Sequence, residues 1–228
     1  MERLIQIAHI ENDFIEKFGI PRQSGIIHSV ESRIVFETEY RDENALRGIE
    51  GYSHLWLIWG FHQLKGIQGN WSPTVRPPRL GGNTRMGVFA TRSPNRPNPI
   101  GLSSVALLRT EQTEQGTILV VTGADLMNGT PVYDIKPYIA YCDSHPDAVS
   151  GFADAVKDYA LKPVIEESIL EQIPEQHRES ILQILSQDPR PAYQQDEERI
   201  YGFRFADMNI RFVVREMDII IVGIDRIK

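Results

Sequence analysis

With 228 residues, 41% hydrophobic and 24% charged, the chain is long enough to bury a core without cross-links and too apolar to be disordered. Its one cysteine, Cys142, has no partner for an internal disulfide, no run is long and apolar enough for a bilayer crossing, and the N-terminus does not read as a secretory leader. This is the expectation for a cytoplasmic protein. A formal charge of −7 argues, taken alone, against nucleic acid as a partner.

In chain order, Leu4 to Ile10 alternates as a strand, Ile26 to Val30 is a short apolar run, and Arg33 to Tyr40 is a second alternating strand. A helical turn fits 41–48, and the aromatic-rich stretch from Tyr52 to His62, apolar on both faces, reads as a deeply buried strand. Residues 86–90, 102–109 and 117–122 add strand candidates, and Asn128-Gly129 is a turn signal before an extended run. Between residues 66 and 101 lie six of the 14 prolines and six of the 17 glycines. Such a segment makes a long loop of fixed path, and long loops in compact domains usually carry function. After residue 150 the pattern changes to three amphipathic helices (151–162, 163–173 and 174–187), a linker-like stretch, and a three-stranded meander over 199–224. The expected organisation is thus a mainly β domain over 1–150 and a small α+β domain over 151–228.

Charge is distributed unevenly. From Gly51 to Thr110 there is no Asp or Glu, but there are seven basic residues, whereas the chain from Asp143 onward carries 10 basic and 17 acidic residues and so the whole −7. An acid-free, arginine-bearing loop stiffened by proline suits phosphate or carboxylate, because no neighbouring acid neutralises the guanidiniums. Neither a dinucleotide-binding glycine fingerprint, a phosphate loop, a nucleophile elbow nor a metal-site spacing is present. The histidines are scattered: His54 and His62, eight apart, would face one side of a strand, and a metal-assisted hydrolase using His28, His54 and His62 has no nearby carboxylate to support it. No metal is expected. The residues at 61–63, those just before Leu102 and the run from Thr130 to Tyr133 all stand at strand mouths, so they could converge on one pocket.

Five stretches, PRQSG (21–25), YSHLW (52–56), FHQ (61–63), RPPRLGGNTRMGVFATRSPNRPNPIGLS (76–103) and DLMNGTPVYDIKPY (125–138), closely resemble the TrmO, or TsaA-like, family of S-adenosylmethionine-dependent tRNA methyltransferases. The resemblance is strong over residues 1–150 and looser over the tail. It implies a single-sheet antiparallel β-barrel and a homodimer, with methyl transfer to N6 of threonylcarbamoyladenosine at tRNA position 37. It also implies a cofactor site made of Ser24, Gly25, Ile26, His62, Gln63, Arg92, Leu102, Thr130, Pro131, Val132 and Tyr133. Ser24 departs from the proline the family pattern would place there. The acid-free arginines Arg76, Arg79, Arg85 and Arg96 are expected to meet phosphates of the anticodon stem-loop, with Trp71 or Tyr133 for base stacking. His62, Tyr133 and Asp134 are the candidate proton acceptors, and the catalytic residue is left open. The rival expectation is a non-catalytic RNA- or nucleotide-binding β-barrel.

Overall fold

The computed structural model describes residues 4–63, 71–77, 80, 83–190 and 196–227. Six strands, β1 (Ala8–Glu11), β2 (Glu31–Phe36), β3 (His54–Gly60), β6 (Ile100–Thr113), β7 (Gly116–Thr122) and β8 (Pro131–Pro137), pair in the ring β1-β2-β7-β6-β3-β8 and back to β1, a closed barrel. All six pairings are antiparallel. Closure leaves the barrel sheet without an open edge. Alternate residues fill the interior: Leu55, Leu57 and Trp59 of β3 point inward with Ile10, Ile34, Val105, Leu119, Val121 and Val132. The outward Trp56 and Ile58 are only half-buried, so β3 has one core face where the sequence suggested two.

Between β3 and β6 the proline- and glycine-rich segment makes a small hairpin of β4 (Thr74–Val75) and β5 (Met86–Gly87), then one 3-10 turn at Val88–Ala90. Prolines at 94, 97 and 99 lack backbone N–H donors, and the remainder runs through a series of bends until β6 begins.

The tail holds α1 (Ala140–Asp143), a 3-10 turn at Gly151–Val156, β9 (Lys162–Val164), α2 (Glu167–Leu170), α3 (Glu175–Ser186), β10 (Tyr201–Phe205), β11 (Met208–Arg215) and β12 (Asp218–Arg226). Two expectations change here. Of the three helices, only 174–187 forms a full one; 151–162 makes a 3-10 turn, and 163–173 divides into β9 and the single turn of α2. The meander gains β9 as a fourth strand, parallel to β12, because Pro163 and the β-branched Val164 favour extension over a helix start.

Residues 12–30 form no strand; the apolar run at Ile26 to Val30 is not the strand that its sequence suggested. Phe14, Ile27 and Val30 are buried in the same core as Ile181, Phe203, Phe205 and Phe212. Hydrogen bonds stitch this segment to the tail: Ser29 Oγ donates to Gln183 Oε1 (2.9 Å), the Ala206 N–H to the Asp13 carbonyl (3.0 Å), and Arg22 Nη2 to the Asp188 carbonyl (2.8 Å). On its other side Asn12 Nδ2 donates to the Leu126 carbonyl (2.9 Å) and the Asn128 N–H to the Phe14 carbonyl (2.8 Å). Residues 12–30 are therefore a plate held between the barrel mouth and the second sheet.

Candidate active site

A cavity of about 640 Å³ opens at the mouth of the barrel, within the size range of small-molecule sites. Three segments build it. The plate supplies Lys17, Ile20, Pro21, Arg22, Gln23 and Ser24; the end of β3 and the start of β6 supply Trp59, Phe61, His62, Gln63, Ile100, Gly101 and Leu102; and the loop after β7 supplies Asp125, Leu126, Met127 and Thr130. The arginine–proline loop closes the rim with Thr91, Arg92, Pro94 and Arg96.

The strand mouths singled out in the sequence therefore do converge. Ser24, His62, Gln63, Arg92, Leu102 and Thr130 all line the cavity. Gly25 sits behind Ser24, its N–H donating to the Gly123 carbonyl (2.8 Å) with φ of +76°, a backbone shape that favours glycine. Ile26 is 40% exposed away from the cavity. Pro131, Val132 and Tyr133 belong to β8 and do not line it: Pro131 pairs with β1, and Val132 is fully buried inside the barrel.

The arginines separate into roles that their sequence did not distinguish. Arg92 reaches across the rim to Gln23 Oε1. Arg96, expected at phosphates, is partly spent on its own loop: its Nη1 donates to the carbonyls of Thr91 (2.7 Å) and Val88 (3.1 Å), and its guanidinium lies 5.5 Å from the Phe89 ring centroid. Arg76 and Arg85 flank the β4–β5 hairpin and are exposed, with Arg85 Nη1 donating to Thr74 Oγ1 (3.2 Å). Arg79 lies outside the described residues. Trp71 and Phe89 form an exposed ring pair with centroids 6.1 Å apart beside that hairpin.

Of the candidate proton acceptors, Asp134 is occupied elsewhere: its Oδ2 pairs with Lys136 Nζ (2.8 Å) and its Oδ1 accepts the Ile135 N–H (2.9 Å). His62 faces the cavity, and desolvation in its wall, aided by the charge of Lys17, lowers its pKa, which favours the neutral imidazole. Among the described residues no group of three His, Cys, Asp or Glu is placed to hold a metal ion.

Asp125 was not singled out from the sequence. It is the one carboxylate among the described residues lining the cavity. Trp59 Nε1 donates to Ser103 Oγ (2.9 Å), which commits the Ser103 proton to Asp125 Oδ1 (2.5 Å). Burial pushes the Asp125 pKa above the ordinary carboxylate range, and this outweighs the opposing effects of Ser103, the backbone N–H groups of Asp125 and Ser24, and the Arg92 charge. A raised folded-state pKa adds stability that is full below the unfolded value and is lost as pH rises through the folded one. Asp125→Asn should therefore melt at a higher temperature than the parent chain at neutral pH. The gap should close as the pH is lowered toward the ordinary carboxylate range, as melting curves across pH would show; an unchanged or lower neutral melting temperature would contradict this.

The model of the tRNA-methyltransferase O N-terminal domain matches residues 9–144, and that of the TrmO C-terminal domain matches residues 160–227. The chain belongs to the TrmO family. The tRNA (adenine(37)-N6)-methyltransferase of Escherichia coli K12 is 42% identical over 219 residues, covering 92% of each chain. A Pseudomonas aeruginosa protein provisionally named an S-adenosylmethionine-dependent methyltransferase is 40% identical over 223 residues, with 94% of this chain and 93% of that one covered. The crystal structure of a TrmO from P. aeruginosa superposes with a TM-score of 0.79 at 34% identity, over 99% of this chain and 97% of that one.

Proposed function

We propose that the barrel-mouth cavity binds S-adenosylmethionine and that the chain methylates N6 of adenosine 37 in tRNA, with threonylcarbamoyladenosine as the preferred form of that nucleotide. The chain is an S-adenosylmethionine-dependent tRNA adenine N6-methyltransferase, as its family membership and its curated relatives support. The observation that carries the site assignment is one cavity of about 640 Å³ that combines aromatic walls, a cationic rim and a single described carboxylate.

The donor set fits the cofactor. The Trp59 and Phe61 rings, with centroids 4.4 Å apart, offer π surface to an adenine or a sulfonium. Arg92 suits the amino-acid carboxylate, while His62, Gln63, Thr130 and the backbone at Ser24 supply polar groups around it. When bound, S-adenosylmethionine supplies an electrophilic methyl group. The chain's own task is to align that group with the target nitrogen and to keep water out, which is mostly a matter of positioning. His62, neutral and at the cavity wall, is the best-placed acceptor for the proton leaving N6.

The tRNA would lie across the β4–β5 hairpin, where Arg76 and Arg85 meet phosphates and the Trp71–Phe89 pair can stack on a splayed base. Replacing both Arg76 and Arg85 with alanine should weaken tRNA binding roughly tenfold at low salt and flatten the dependence of affinity on salt by about two charges. Calorimetric affinity for free S-adenosylmethionine should stay as it was; an equal loss for both ligands would remove these arginines from the tRNA face.

We also infer that the chain works as a homodimer in the cytoplasm, where its tRNA is found, and that residues 1–150 and 151–228 are its two domains. Ile100 and Leu102 are 39% and 58% exposed at the cavity rim, and a second copy would cover such a surface. No helix among the described residues is long and apolar enough to cross a membrane. The decisive test is nucleoside mass spectrometry of tRNA from cells with and without the protein. Loss of the methylated threonylcarbamoyladenosine peak supports the reading, and an unchanged peak overturns it.

A further inference from the structure

We propose that Asp125 is the counter-charge for the sulfonium of the methyl donor, and thereby the residue that makes the cavity prefer the charged donor to its neutral thioether product. The inference rests on the reading that this cavity takes S-adenosylmethionine.

The argument starts from a charge imbalance. Lys17, Arg22, Arg92 and Arg96 line the cavity, against one described carboxylate, Asp125. S-adenosylmethionine carries an ammonium, a sulfonium and a carboxylate, and so is itself a net cation. A cavity of this sign repels it unless the ligand's positive groups meet the one anion in the wall. The guanidiniums have an obvious partner in the ligand's carboxylate. Asp125 is then left with a choice between ammonium and sulfonium.

Hydrogen bonding decides that choice. An ammonium is recognised by acceptors with free lone pairs, whereas a sulfonium has no N–H and responds only to charge and polarisable surface. Asp125 already accepts the Ser103 hydroxyl at 2.5 Å. Its acceptor capacity is partly used, yet its negative charge remains. The hydroxyl is aimed at Asp125 because Ser103 Oγ itself accepts from the Trp59 indole. The carboxylate is thus held beside the face of the cavity formed by Trp59 and Phe61, where two aromatic rings add their own attraction for a cation. A half-buried carboxylate kept in this setting despite the cost of its burial is the mark of a functional group.

The consequence is a change of affinity during turnover. When the methyl carbon bonds to N6, sulfur keeps the electron pair of the broken bond and loses its charge, and N6 releases its proton. Asp125 then faces a neutral thioether, and the product is held less tightly than the donor.

The test is calorimetric titration of the full-length chain and of Asp125→Asn with S-adenosylmethionine and, separately, with S-adenosylhomocysteine. The variant should bind the first roughly tenfold more weakly or worse, while the second changes by less than about threefold. Equal losses for both ligands would assign Asp125 to the ammonium, which the two share, and overturn the proposal; so would no loss for either. Ser103→Ala, which removes the hydroxyl but keeps the charge, should retain the preference for the donor within about threefold, and loss of that preference would also overturn it. Melting curves of both variants are to establish that they are folded before their affinities are compared. If the parent chain binds neither ligand, the reading of the cavity as a cofactor site fails, a result separable from every outcome with the variants.

Discussion

Phe14→Ala is expected to lower the stability of the chain by about 3–5 kcal/mol and to weaken cofactor binding, although Phe14 does not line the cavity. The side chain is 2% exposed and packs edge-on against Phe205, with ring centroids 5.5 Å apart at 67°. Truncation leaves a hole in a core shared with Phe203, Phe212 and Ile181, and close-packed interiors collapse only partly around such holes. The effect on the cofactor follows from where Phe14 sits in the chain. It anchors the start of the plate whose next residues, Lys17 to Ser24, form one wall of the cavity, and its carbonyl receives the Asn128 N–H (2.8 Å) from the loop that forms the opposite wall. Phe212→Ala, in the same core but on β11, should cost a similar stability with a smaller loss of affinity. Denaturant unfolding gives the first quantity and calorimetric titration of the folded variants the second. Parent-like affinity in folded Phe14→Ala would show that the plate is not held by the second core.

This coupling was hidden from the sequence for a physical reason. Strands, turns and loops are encoded locally, so the alternation at residues 33–36, the apolar run at 117–122 and the proline-rich loop were each legible, although the strand expected to run on to Tyr40 stops at Phe36 and Thr38–Tyr40 coils into a 3-10 helix. The plate is not: residues 12–30 have neither helical nor strand period, because Phe14, Phe18, Ile20, Ile27 and Val30 all pack into the second core from an irregular path. Ile27 and Val30 read as a short strand when they are anchors in a loop. The same holds for residues 163–173, where a helical period continues through Pro163 and Val164, yet pairing with β12 takes those residues into the sheet. Local propensity lost to tertiary partners, 56 positions along the chain from Pro163 to Ile219 and 154 from Ser29 to Gln183, and nothing local announces such partners.

The candidate site was legible where one stretch carried it. The strand-mouth argument brought residues 61–63, those just before Leu102 and Thr130 together, whereas Arg92 and Leu102 themselves came from the family resemblance. Asp125 escaped because attention to arginines makes a lone acid look incidental. A signal was nevertheless present: after the wholly buried β7, an aspartate two residues past the Gly123 turn stands at a strand mouth with no basic residue nearby in sequence to neutralise it. Arg96 misled in the opposite direction, since a guanidinium in a loop without secondary structure is as useful for holding that loop's carbonyls as for holding a ligand.

Gly101→Ala carries the second large effect. Gly101 pairs with Trp59 across β3 and β6, and a Cβ added there would lie within 3.0 Å of the Trp59 indole, closer than packed atoms tolerate. Backbone on both sides is fixed by the β ladder, so the indole must move. Its movement strains a tight core at a cost of about 1–3 kcal/mol, and loss of the Trp59–Ser103 hydrogen bond (2.9 Å) adds about 1 kcal/mol. Trp59 itself lines the cavity, so displacing its indole should also lower affinity for S-adenosylmethionine. A double-mutant cycle separates this account from a general intolerance of alanine in β6. The clash involves Cδ2, Cε2 and Cζ2 of the Trp59 ring system, all of which alanine lacks. In a Trp59→Ala background, Gly101→Ala should therefore cost less than about 1 kcal/mol, giving a coupling energy well outside that of independent sites. Equal costs in the two backgrounds would mean that the glycine serves the strand and not the indole, and that the path from Trp59 through Ser103 to Asp125 does not depend on this close approach.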